Sequence, residues 1–146
     1  MNWLLDTNVI SETHKLKPSV AVVAWIASAP LSQLHTSAMN IAELIYAAGK
    51  QDDVLKRRSL DEWIEKSVRP WFVGRILDVN ENGLLRWRIL MRERESLREP
   101  APAVDLLIAA VALENNMAIA TCDVVPFATC GVPILNPWTG ERFNGA

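Results

Sequence analysis

The chain has 146 residues, with 15 lysines and arginines against 17 aspartates and glutamates and a formal net charge of −2. That length suits one domain spanning 1–146 with a core of its own, and the slightly negative charge excludes bulk electrostatic binding of nucleic acid, so any such contact must come from a local patch. Two cysteines, Cys122 and Cys130, make no disulfide framework; with no secretory signal and no stretch approaching a membrane span, a reducing cytoplasm is the expected compartment.

In chain order, Trp3-Leu4-Leu5 predicts a short buried strand ending on Asp6. Asp6-Thr7-Asn8, all good helix starters, open a helix through Glu12. Pro18 breaks the chain, and Ser19 to Ser28 forms a small helix with Val20, Val23, Ala24 and Ala27 on one side. Leu34-His35-Thr36 is a second strand. Ser37 caps a helix from Ala38 to Lys50, whose only charge before its last residue is Glu43. From Asp52 to Val68 a long amphipathic helix places Val54, Leu55, Leu60, Trp63 and Ile64 on one side, and Pro70 ends it. Ile76 to Val79 is a third strand. Asn80 caps a helix through Leu97 with a stripe of Leu84, Trp87 and Met91, flanked by Leu90 and Leu97. Its other face sets Arg86, Arg88, Arg92, Arg94 and Arg98 against Glu93, Glu95 and Glu99. Two readings fit that face: a solvated surface of i,i+4 pairs, or a phosphate-contacting rim in which Arg88 and Arg92 meet RNA.

Behind Pro102, a residue tolerated in a first helical turn, a helix runs from Ala103 to Leu113 with Asp105 as its only charge. Its residues from Leu106 onward leave no polar face, so it should be buried on most sides. Met117 to Ala120 then reads as a buried strand leading into Thr121-Cys122-Asp123. Val124 to Phe127 forms a turn or short helix, and Pro133 to Leu135 a last strand. Asn136 to Gly140 is a loop, and the polar tail suggests no element. Strands alternating with helices predict an α/β fold, a short and mostly parallel sheet covered on both faces.

Asp6, Glu43, Asp105 and Asp123 have no basic neighbour in sequence. Asp6 and Asp123 end strands, Asp105 opens a helix and Glu43 lies within one. In an open α/β sheet these positions meet at the carboxyl edge, where ligands collect. Each acid also has a plainer reading, as a helix cap, a dipole-compensating residue or a rim glutamate. Carboxylates that converge repel unless one is protonated or a cation lies between them. A hard cation such as Mg²⁺ or Mn²⁺ prefers oxygen ligands, whereas His14, His35, Cys122 and Cys130 show no zinc-ligand spacing. Metal-assisted hydrolysis of a phosphodiester is the chemistry such a set supports. Thr7 and Thr121 stand beside proposed ligands and can hold one, or a water, through their hydroxyls.

These residues carry a family resemblance. Trp3 to Glu12 (WLLDTNVISE), Asn40 to Leu44 (NIAEL), Pro102 to Ala110 (PAVDLLIAA), Ala120 to Val124 (ATCDV) and Leu135 to Trp138 (LNPW) resemble the PIN-domain ribonucleases, and most of all the VapC toxins of the FitB-like branch. The ordered set spans nearly the whole chain. The resemblance implies a PIN-like three-layer fold and a Mg²⁺- or Mn²⁺-dependent endoribonuclease, the toxin of a type II toxin–antitoxin pair. It implies a homodimer and a cognate antitoxin that blocks the site and alone binds operator DNA. Asp6, Glu43 and Asp105 match the three core acids and Asp123 the fourth, with cleavage leaving a 5′-phosphate and a 3′-hydroxyl. Cys122 departs from the pattern, standing where an arginine is common. Two other readings remain: a PIN-like binding partner without activity, and an acidic-pocket Mg²⁺-dependent phosphatase or phosphoacceptor domain. The latter needs a lysine late in the chain, and none follows Lys66.

Overall fold

The computed structural model describes every residue from Met1 to Ala146. Six strands form one sheet: β1 (Trp3–Leu5), β2 (Leu34–Ser37), β3 (Ile76–Leu77), β4 (Ala118–Ala120), β5 (Ile134–Leu135) and β6 (Arg142–Phe143). Their spatial order is β3-β2-β1-β4-β5-β6, and only β6 runs antiparallel to its neighbour. β1 is central, pairing Trp3 with Leu34 on one side and Leu5 with Ala120 on the other. A strand in that position is buried on both faces, which is why it reads as an unbroken apolar run.

Side chains alternate across the sheet and divide the core in two. Trp3 and Leu5 point into a cluster with Val9 and Ile10 of α1 (Thr7–Glu12), Val22 of α2 (Val20–Ser28) and Ile41, Leu44 and Ala48 of α3 (Ala38–Gly49). Leu4 and Ile119 point the other way, onto α6 (Glu81–Leu97), α7 (Ala103–Glu114) and Phe127 of α8 (Val125–Ala128). The result is a three-layer arrangement of helices, sheet and helices. No helix is long and apolar enough to cross a membrane.

Several elements differ from the expectation. The long charged helix begins at α4 (Val54–Trp63), and Val54 and Leu55 are exposed rather than packed, while Leu60, Trp63 and Ile64 turn inward. The helix then widens into a π turn over Ile64–Val68 and continues into α5 (Arg69–Trp71). Pro70 therefore does not end it. Pro70 lies in the first turn of α5, where an N–H is not required, and the wider turn resets the ladder just before it. On α2 the buried side is Val22, half-joined by Trp25, Ile26 and Ala29, while Val20 and Val23 are exposed. On α6 the inward line is Gly83, Trp87, Leu90, Met91 and Arg94; Leu84 and Leu97 face out. β3 stops at Leu77, two residues early. β6 was not anticipated: after a turn at Gly140 (φ 79°), Phe143 pairs with Ile134. Two residues are too few to show the period-2 alternation that marks a strand.

Candidate active site

Asp6 leaves β1 at the carboxyl edge of the sheet, its N–H still donating to the Ala120 carbonyl at 3.0 Å. It also caps α1, its Oδ1 accepting the Thr7 N–H at 2.8 Å. The side chain is buried, with the residue only 6% exposed. Neutral donors surround it. Thr121 Oγ1 donates to Oδ2 at 2.8 Å, Asn40 Nδ2 to Oδ1 at 3.2 Å, and Asn8 Nδ2 to Oδ2 at 3.4 Å. Burial raises the proton affinity of Asp6 above the ordinary carboxylate value; the bonds from Thr121, Thr7 and Asn40 oppose that, and the charge of Asp123 adds to it.

Three chain segments deliver these donors, each by a local rule. Ser37 caps α3 by accepting the Asn40 N–H at 3.2 Å, as serine does ahead of a helix. That places Asn40 in the first turn, fully buried, where its Nδ2 also reaches Thr7 Oγ1 at 3.3 Å. Glu43 follows three residues later on the same helical side and is partly exposed. β4 ends at Ala120, so Thr121 stands at the same edge; its Oγ1 accepts Asn8 Nδ2 and the Asp123 N–H, both at 3.0 Å. That second bond folds the chain so that exposed Asp123 lies beside the edge. Asp105 enters from the first turn of α7, partly exposed.

Asp105 reports most directly that the acids converge. Its carboxyl is pushed up to about 6, first by burial and then by the negative charges of Asp6, Asp123 and Glu43. No arginine or lysine offsets this: the four ion pairs of the protein are Lys15–Glu12, Arg69–Glu65, Arg86–Glu114 and Arg94–Glu99. The structure thus brings all four sequence-derived acids to one edge, with no cation paired to any. No three histidine, cysteine, aspartate or glutamate side chains crowd into a finished metal cage. The four carboxylates are nevertheless the oxygen ligands a hard divalent cation takes.

Asn40 and Asn8 went unassigned in the sequence reading, although both lie within the quoted motifs. Nothing in the sequence marks Asn40, whose burial is a tertiary fact. Glu12 also lies here: Lys15 Nζ at 2.8 Å and the Ser19 N–H at 3.1 Å hold its carboxyl below the ordinary value. Cys122 is exposed beside Asp123, its thiol pushed up by burial and then by nearby carboxylates. Arg88 and Arg92 are exposed on α6, with the Arg88 guanidinium 5.8 Å from the Trp87 ring. Arg94 is not part of that solvated face; it is buried.

Residues 3–129 match the PIN domain family. The chain is 33% identical over 135 residues to the VapC ribonuclease Y4jK of Sinorhizobium fredii, covering 92% of this chain and 96% of that one. It is 35% identical over 135 residues to Toxin FitB of Neisseria gonorrhoeae, covering 92% and 97%. Among solved structures, the crystal structure of FitAcB from Neisseria gonorrhoeae superposes with a TM-score of 0.86 at 34% identity, covering 93% of this chain and 98% of that one. The protein belongs to the PIN-domain family, among the VapC toxins and beside FitB.

Proposed function

We propose that this protein is an endoribonuclease dependent on Mg²⁺ or Mn²⁺, acting as the toxin of a type II toxin–antitoxin pair. The observation that carries the reading is the gathering of Asp6, Glu43, Asp105 and Asp123 at one sheet edge without a cationic partner. The family and the named relatives, one called a ribonuclease and one a toxin, support it.

In this reading the four acids are the metal-holding and catalytic residues. When bound, such a cation supplies an activated water and offsets charge on the phosphodiester. The chain's own residues do the positioning. Asp6 is fixed by Thr7, Asn40, Asn8 and Thr121, so its carboxylate cannot swing away. Thr121 links Asp6 to Asp123 through one hydroxyl. Asp105, in the first turn of α7, holds its proton into mildly acidic pH and gives it up when positive charge arrives. Attack by water leaves a 5′-phosphate and a 3′-hydroxyl. Arg88 and Arg92 offer exposed guanidinium groups to the RNA backbone. One domain spanning 1–146, a homodimer, a cytoplasmic setting and a cognate antitoxin that bridges to operator DNA complete the proposal.

The test is cleavage of a mixed-sequence RNA by the purified protein. EDTA should stop it, and Mn²⁺ or Mg²⁺ should restore it, the two additions also deciding which ion serves. Cleavage that ignores the chelator overturns the metal assignment.

A further inference from the structure

One residue of the α6 charge run differs from its neighbours. Arg86, Arg88, Arg92 and Arg98 are exposed, whereas the Arg94 side chain is 8% exposed. A buried guanidinium needs a partner, and Arg94 has one: Glu99 Oε2, 3.2 Å from Nη1, on a side chain that is itself 62% exposed. A guanidinium carries five N–H donors, and in Arg94 only Nη1 is engaged. No fully buried side-chain polar atom in the protein lacks a partner, so the remaining donors of Arg94 open onto solvent. They open into two grooves flanking Pro100-Ala101. One is walled by Met91, Arg98 and Leu106 with Glu95 on its rim; the other runs to Pro102 and Val125.

The groove walls share two chain segments with the acids. Leu106 follows Asp105 directly, and Val125 lies two residues beyond Asp123. Arg94 is paired with none of the four acids; its carboxylate partner is Glu99. Glu99 is returned over Arg94 by the end of α6, where Arg98 adopts a left-handed conformation (φ 55°) and the Glu99 N–H donates to the Arg94 carbonyl at 3.0 Å. That conformation is unfavourable for a residue other than glycine. Glu99 meets one arm of this recessed guanidinium, whose fork of donors fits phosphate.

We infer that Arg94 receives a phosphate of the RNA strand, with Glu99 as the internal anion that gives way to it. The inference rests on the ribonuclease reading. Arg94 is then a substrate-positioning residue, and the path of the RNA runs along the Pro100–Leu106 wall.

The experiment measures binding of a fluorescein-labelled, mixed-sequence single-stranded RNA 12-mer in EDTA, as a function of salt. Glu99→Gln, at an exposed position, should tighten binding by about three-fold, since it removes a partly exposed competitor. Arg94→Lys keeps the charge but loses the fork and should weaken binding by about ten-fold, the worth of a charge-assisted hydrogen bond, with the salt dependence retained. Arg94→Ala, checked for folding by its thermal transition, should lower the slope of log affinity against log salt by about 0.7, one phosphate contact on a single strand. Native affinity and slope in both Glu99→Gln and Arg94→Lys overturn the inference. So does a Glu99→Gln protein that binds hexaglutamate more tightly but RNA no better, which assigns the grooves to a protein carboxylate. If the native protein cuts RNA while the variants bind as it does, only this inference falls. If it neither binds nor cuts RNA, the ribonuclease reading falls as well.

Discussion

Acidic residues sit in two kinds of surroundings in this protein. On the outer helices Glu65, Glu114 and Glu99 each meet an arginine, at 3.0, 2.8 and 3.2 Å. At the carboxyl edge of the sheet, Asp6, Glu43, Asp105 and Asp123 meet one another, and Asp6 meets only neutral donors. The Glu65 and Glu114 pairs cancel charge where water already screens it, so they add little and tolerate exchange, whereas Glu99 answers a buried guanidinium. The edge acids keep a repulsion that amides and hydroxyls offset only in part, and burial first and then that repulsion hold Asp105 at about 6. A fold retains such a cost where something else relieves it, and a divalent cation relieves it most completely.

That contrast can be broken in a graded way. Asp6→Asn or Asp105→Asn keeps the shape and removes an edge charge; RNA cleavage should fall on the order of 10²–10³-fold, the usual loss for a preorganised electrostatic group, with the protein still folded by circular dichroism. Full activity in either would equate the edge with the outer helices. Asn40→Ala removes a donor to Asp6 without touching the charges, so Mn²⁺ affinity measured by calorimetry should drop about 10–100-fold, as for other residues that orient a ligand. Native Mn²⁺ affinity in that variant would leave the amide without a positioning role.

Stability provides a third comparison. In the metal-free protein Asp105 binds its proton at about 6 when folded, against an ordinary 3.8, so the folded state holds more protons between those values. Stability from this group therefore falls as pH rises through that window. Asp105→Asn should lack this slope and, after discounting for partial exposure, should gain on the order of 1 kcal/mol near neutral pH. Thermal melts of both proteins in EDTA across the window measure the difference, and parallel profiles would remove the repulsion argument. The smallest effect belongs to the helical surface: Glu65→Gln should change stability by no more than about 0.5 kcal/mol.

Much of this arrangement was legible along the chain. Trp3-Leu4-Leu5 and Met117 to Ala120 read as strands because a doubly covered strand must be apolar throughout, and the helix after Pro102 read as buried for the same reason. The four acids were legible because none has a basic neighbour in sequence and three of them follow or interrupt stretches otherwise free of charge. Asn40 was not, since an amide behind Ser37 looks like any polar residue of a first helical turn. Arg94 was not, since it shares a spacing with arginines that are exposed. Pro70 misled, because a proline stops a regular ladder but fits the first turn after a π turn.

Residue type and order by themselves determined which segments are apolar enough to be strands and which carboxylates lack a cation nearby, because both depend on neighbours within a few residues. Which acids face each other, that Asn40 and Thr121 grip Asp6 from positions 34 and 115 residues away, and that one arginine of five lies recessed behind Glu99 were decided by tertiary packing. Those contacts arise only when the parallel sheet aligns its strand ends with the first turns of α1, α3 and α7, and when α6 settles against α7.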